Sequence, residues 1–264
     1  MNNLLIEKIK LYAYIGKLSL KKQNRVKEVV NLEYEQNIWN KKYDEKLFGE
    51  FFIMAGRDPN EIMLTFVNDK LTKLKYSEII PRYSKQIIKI LSDYKDNEFI
   101  ELGCGVGNIL FTLEKYGFKK LKGYDISTNA IKLANTHSVK INSNVKFGVM
   151  DLIQSMPDFT DKVLYTHTCM EQLKHPMKQV ITNIIKSNPK LVVNFEVDYD
   201  SSPYLVKKYI DSRDYQNNLV RELKENPKIE IVSILRLPIS MSSVNRLSCI
   251  VWKPKMMSKT HVIE

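Results

Sequence analysis

The sequence predicts an α/β fold: a doubly wound, mostly parallel sheet with one antiparallel strand near the C-terminus, plus an N-terminal helical cap. Three observations predict it. From about residue 97 onward, apolar runs of strand length alternate with segments of helical periodicity. A glycine-rich turn, Gly103-Cys104-Gly105-Val106-Gly107, joins the first of these strands to the first of these helices. Two β-rich runs near the end are separated by a stretch too short for a crossover helix, so they should pair antiparallel.

Residues 1–95 read as the helical cap, with no clear strand and little glycine. Leu4-Leu5-Ile6, Ile9, Leu11-Tyr12 and Ile15 make an amphipathic start, which Glu7, Lys8 and Lys10 interrupt too early for a secretion signal. Tyr34, Trp39, Tyr43, Phe48, Phe51 and Phe52 form an aromatic stretch, ended by the break Gly56-Arg57-Asp58-Pro59. At helical spacing such rings are core residues more often than ligand contacts. Trp39, between Ile38 and Asn40, has the half-polar setting of a ring at the edge of a site. Arg82 and Tyr83 open the helix that leads into the first core strand. The expected division is a cap over 1–95, a core over 96–256 and a tail over 257–264.

The core begins with the strand Asn97-Glu98-Phe99-Ile100, which ends in Glu101. Three glycines at alternate positions then leave bare backbone against which a ligand can lie, at the N-terminus of a helix. A dinucleotide fingerprint would need glycine at 108, where this chain has Asn108. The carboxylate of Glu101 would repel a pyrophosphate, but it suits a ligand with an ammonium or sulfonium group. A second strand over 120–127 carries Asp125, 24 residues beyond Glu101. That is close to the spacing at which such folds bind ribose hydroxyls. The alternative role for Asp125 is to cap the following helix, which Ser127 would do equally well. A third strand, 145–150, ends in Asp151-Leu152; a fourth, 162–167, ends in His167; a fifth covers 190–197. The antiparallel pair is 229–237 with 247–252.

With these motifs in register the chain resembles the class I S-adenosylmethionine (SAM)-dependent methyltransferases, from residue 80 to residue 254. Their first motif is an acidic residue followed by Gly-x-Gly-x-Gly, on a Rossmann-like sheet with an antiparallel strand at the C-terminal end. The resemblance implies SAM as cofactor, held by Glu101, Gly103, Cys104, Gly105, Gly107, Asp125, Ile126, Asp151 and Leu152. It also makes Arg82 and Tyr83 candidates for the methionine carboxylate, and the N-terminal helices a lid.

The same resemblance places the end of the fourth strand beside the methyl group, which makes His167 and Glu171 the catalytic candidates. Imidazole titrates near neutrality, so His167 would serve as a base for a hydroxyl or sugar acceptor. It is also simply placed to bond a neighbour. Thr168-x-x-Glu171 has the form of a capping box, the alternative role for Glu171. Tyr215, in the polar run Asp214 to Asn218, is a second candidate for the acceptor side; His175 reads as a helix-end residue. Expected acceptors are a hydroxyl or amine of a small molecule, sugar or peptide-type metabolite. The alternatives are a nucleic-acid or protein methyltransferase, or a partner protein that binds SAM without turnover.

The formal charge of +11 invites a nucleic-acid partner. However, residues 1–95 hold 18 Lys and Arg against 12 acids, and the remainder 23 against 18, with no basic block. After strand four the chain has His167-Thr168-Cys169-Met170. It lacks the Pro-Pro-aromatic motif of base-amino methylation and the Pro-Cys motif of cytosine-carbon methylation. No specific nucleic acid, no membrane and no metal are expected. The unpaired spacing of Cys104, Cys169 and Cys249 points to a reducing, cytoplasmic setting.

Overall fold

The computed structural model describes residues 3–20, 27–49, 58–173, 176–241, 243–244 and 246–255. Phe51, Phe52, Gly56, Arg57, His175 and the 257–264 tail lie outside the described residues. In chain order the helices are α1 (Asn3–Ser19), α2 (Lys27–Leu32), α3 (Tyr76–Ser92), α4 (Asn108–Lys115), α5 (Thr128–Lys140), α6 (Met177–Lys186), α7 (Tyr204–Ser212) and α8 (Leu219–Glu225). The strands are β1 (Ile62–Val67), β2 (Lys70–Lys75), β3 (Phe99–Leu102), β4 (Leu121–Asp125), β5 (Lys146–Val149), β6 (Val163–His167), β7 (Leu191–Val197), β8 (Ile229–Arg236) and β9 (Leu247–Pro254).

Seven strands form one sheet in the order β5-β4-β3-β6-β7-β9-β8. Every pairing from β5 to β7 is parallel; β9 runs antiparallel to both β7 and β8, and is therefore the single reversed strand. The predicted sheet is thus the observed one. Successive strand residues point to opposite faces, and both faces are covered. On β6, Val163 and Tyr165 join Tyr83, Ile87 and Leu110 in one layer. Leu164 joins Val180, Ile184 and Trp252 in the other. The chain order reverses between β4-β3 and β6-β7, which opens a crevice at the carboxyl ends of β3 and β6.

The N-terminal part departs from an all-helical cap. β1 and β2 form an antiparallel hairpin, with Val67 opposite Lys70 and Phe66 opposite Leu71. Its two turn residues, Asn68 and Asp69, have φ of 48° and 65°. Those angles match the two-residue turn whose twist suits paired strands, and Asn and Asp tolerate them. The hairpin is sewn to the segment before β9: Asn68 N donates to Pro238 O at 2.7 Å, and Ser240 N to Phe66 O at 3.1 Å. Further upstream α1 packs on α7, with Ile15 only 1% exposed. α2 continues into a single π-helical turn, Glu33–Ile38, which reaches α5.

Candidate active site

The crevice holds a cavity of about 250 Å³, closed on one side by Tyr34, Ile38 and Trp39 of the N-terminal segment. Its floor is the glycine turn after β3. Gly103, Gly105 and Gly107 have φ of +76°, +52° and +84°, a region that costs other residues energy. A Cβ on Gly103 would run into the Cys169 sulfur, and one on Gly105 would lie 3.2 Å from the Trp39 ring. The turn is therefore bare because side chains from two other segments press on it. Gly107 faces Phe147 instead and is not part of the cavity wall. Asn108, where a dinucleotide site would have glycine, ties down the N-terminal segment. Its Nδ2 donates to Leu47 O at 3.1 Å and its Oδ1 accepts from Gly49 N at 3.2 Å.

Among the described residues three carboxyls line the wall: Glu101, Asp125 and Asp151. Glu101 is 2% exposed and accepts from the Tyr165 hydroxyl at 2.9 Å; burial pushes its carboxyl well above the ordinary range. Asp125 accepts from Gly105 N at 2.8 Å and from Ser127 N at 2.9 Å. Burial raises its pKa, while those two amides pull it back. Ser127, not Asp125, caps α5: its hydroxyl accepts from Ala130 N at 3.0 Å. Asp151 accepts from Ile153 N at 3.1 Å. Ile126, Leu152 and Met150 add an apolar wall between the acids, and Cys104 lines the turn beside them.

His167 lines the opposite end and is buried, which lowers its pKa to about 4, so the ring is neutral at physiological pH. Its Nε2 and the Tyr83 hydroxyl share a hydrogen bond at 2.5 Å, and its Nδ1 faces Thr168 Oγ1 at 3.4 Å. Tyr83 is fully buried, lies outside the cavity wall and has His167 as a partner. Arg82, one residue earlier on α3, is exposed and also lies outside the wall. Tyr215 packs with Tyr209 and Arg213 away from the cavity.

The capping box at Thr168 does not form. Thr168 is in the left-handed region at φ +52°, and the next element is a short 3₁₀ turn, Met170–Gln172. The residue that serves its amides is Glu196 on β7: Oε1 accepts from both Cys169 N and Met170 N at 3.0 Å. Glu171 is buried beside it, outside the cavity wall, with its backbone oxygen accepting from Gln216 N at 2.8 Å. Glu196 is 0% exposed, and burial raises its pKa to about 7. The sequence carried a signal for it: a carboxyl within the mostly apolar run Val192–Val197, which also holds Asn194.

The residues present fit a cationic adenosyl ligand. The glycine floor admits close backbone approach, a buried acid awaits a cation, and a second acid stands at the strand end next to an apolar slot. Among the described residues no group of His, Cys, Asp and Glu could hold a metal ion, and no helix is long and apolar enough to cross a membrane.

Residues 93–234, just over half of the chain, match the family model described as a methyltransferase domain. Magnesium protoporphyrin IX methyltransferase from Synechocystis PCC 6803, solved with bound S-adenosylhomocysteine (SAH), superposes with a TM-score of 0.57. That match has 13% identity and covers 87% of this chain and 100% of that one. The PH0226 protein from Pyrococcus horikoshii OT3 gives a TM-score of 0.53 at 19% identity, over 68% and 91% of the two chains. A Methanocaldococcus jannaschii protein, MJ0928, provisionally named a protein N5-glutamine methyltransferase, is 34% identical over 79 residues. That match spans 30% of this chain and 40% of the relative's length. The chain belongs to the methyltransferase domain family, and its fold is shared with methyltransferases solved with bound SAM or SAH.

Proposed function

We propose that this protein transfers a methyl group from SAM to an amine or hydroxyl of a neutral or cationic small molecule, sugar or peptide-type metabolite. The observation that carries the reading is the charge of the cavity wall. Glu101, Asp125 and Asp151 line it, and among the described lining residues there is no Lys or Arg, in a chain that has 41. The acids serve the donor, so what bears on the acceptor is the lack of a cation. A phosphorylated or carboxylate acceptor would find no counter-charge among the described lining residues.

Glu101 would face the donor's ammonium, Asp125 its ribose hydroxyls, and Asp151 with the Leu152 backbone its adenine edge, Ile126 lying on the ring. When bound, SAM supplies an electrophilic methyl group on a sulfonium. The chain's own part is alignment and exclusion of water, which can account for much of the rate in an in-line displacement. Trp39 and Ile38 cover the cavity, and the Glu196 carboxyl fixes the Cys169–Met170 backbone at its far end.

His167 favours an amine over the hydroxyl or sugar that the sequence pointed to. A ring with a pKa of about 4, whose Nε2 is engaged by Tyr83, gives little driving force for deprotonating a hydroxyl. A neutral amine needs no base. The likeness to MJ0928 supports a second reading, transfer to a peptide amide nitrogen. The test is transfer of label from methyl-labelled SAM to a panel of amines, sugars, glutamine-containing peptides, phosphorylated compounds and nucleic acid. Turnover confined to the last two would overturn the proposal.

A further inference from the structure

We infer that Glu35 is a positioning residue for the donor site, acting from the N-terminal segment through Ser127 on Asp125. The inference rests on the donor-site reading above. Glu35 lies on the π-helical turn Glu33–Ile38, far from the glycine motif in sequence. Its Oε1 accepts from Thr128 Oγ1 at 2.6 Å and from Asn129 N at 3.2 Å. Its Oε2 accepts a short hydrogen bond from the Ser127 hydroxyl, and its backbone oxygen accepts from Asn129 Nδ2 at 3.2 Å. Four hydrogen bonds from three consecutive residues make a specific clasp on the first turn of α5. The location suits a negative charge, because the first amides of a helix are unpaired and carry partial positive charge. Partial burial opposes that charge, but the hydrogen bonds from Ser127, Thr128 and Asn129 outweigh it and hold Glu35 ionised.

What lies on either side of the clasp gives it a function. Ser127 N donates to one oxygen of Asp125, and the other oxygen accepts from Gly105 N. An unbroken series of hydrogen bonds therefore runs from Glu35 through Ser127 and Asp125 to the glycine floor. The same turn carries Tyr34 and Ile38 into the cavity wall and leads to Trp39, whose ring lies over Gly105. Glu35 thus meets the glycine turn twice, through hydrogen bonds on one side and through the indole on the other. Without it, the Asp125 carboxylate loses the partner that orients its neighbour, and the aromatic cover loses its anchor to the core.

SAH is the probe, with affinity measured by calorimetry and folding checked by thermal melting. Glu35→Ala should weaken SAH binding about tenfold, the loss of hydrogen bonds to a charged group. Glu35→Gln, which keeps an oxygen for Thr128 and Asn129 and a polar contact to Ser127, should stay within about threefold of wild type. Both should melt close to wild type, since Glu35 is only half-buried. In the double variant with Asp125→Ala, the Glu35→Ala loss should be clearly smaller than in the single variant, because one of its two routes to the glycine turn runs through Asp125. If Glu35→Ala binds as wild type does while Asp125→Ala is weakened, the clasp has no role in binding. Fully additive losses would exclude the path through Asp125. If Asp125→Ala itself binds normally, the donor-site reading fails, and the clasp with it.

Discussion

Replacing Glu196 by Gln should change how stability depends on pH. The carboxyl is 0% exposed; its Oε1 serves the Cys169 and Met170 amides, and the Thr166 hydroxyl also bonds the group. Burial raises its pKa from the ordinary 4.5 to about 7 in the folded protein. Because the folded value is the higher one, its contribution to stability is full below about pH 4.5 and is lost as pH rises through about 7. The gap corresponds to about 3 kcal/mol overall, most of which falls between pH 5 and pH 8. Gln keeps an oxygen for the two amides and has no proton to lose. Urea unfolding at pH 5 and pH 8 should therefore show a loss for wild type that exceeds the variant's by about that amount, with equal denaturant slopes. Comparing the two proteins cancels the other raised acids, Glu101 and Asp125. Parallel pH profiles would show that Glu196 is not the buried, strained acid described here, and that the 3₁₀ turn after Thr168 is held by something else.

Glu101→Gln should weaken SAH binding by about 1–3 kcal/mol in calorimetry for want of a counter-charge, yet raise stability at neutral pH, since burial penalises the ionised acid. Gly105→Ala should destabilise by about 1 kcal/mol from its positive φ and its contact with Trp39, and weaken SAH binding as the ring is displaced. For His167, single-turnover transfer should show no titration near the ordinary imidazole value between pH 5.5 and 8, because the ring is already neutral; a step with a midpoint near 6.5 would place the imidazole in contact with water.

The parts of the molecule that were legible in the sequence are those whose cause is local. Glu101, Gly103, Gly105 and Asp125 announce themselves through spacing along strand, turn and strand, and the reversed strand β9 follows from the short link after β8. The hairpin was missed although its signal was present: Ile62 to Val67 and Lys70 to Lys75 flank Asn68-Asp69, a two-residue turn pair. Long-range partnerships carried no local signal. Tyr83 looked like a contact for the methionine carboxylate, and His167 like a base or a residue bonded to some neighbour; only the fold identifies each as the other's partner. In the same way a Thr-x-x-Glu pattern looked like a cap, but the amides were claimed by Glu196 from the neighbouring strand. Arg82 and Tyr215 lie outside the cavity wall for a simpler reason: helical phase turns the first toward solvent, and the second packs against Tyr209 and Arg213.

The seam between the β1–β2 hairpin and the segment before β9 has a consequence for motion. Asn68 and Ser240, distant in sequence, donate to one another's segments, and the Thr65 hydroxyl bonds the Ser240 carbonyl beneath them. Gln86 on α3 adds a further link, donating to Ile239 O at 2.9 Å. Opening either partner strips hydrogen bonds from the other, so the two cannot fray separately. In amide exchange Phe66, Asn68 and Ser240 should protect and deprotect as a single cooperative unit, distinct from the parallel strands that carry the acids. A shortened chain starting at residue 93, the first residue of the family match, would leave that unit with only half its members.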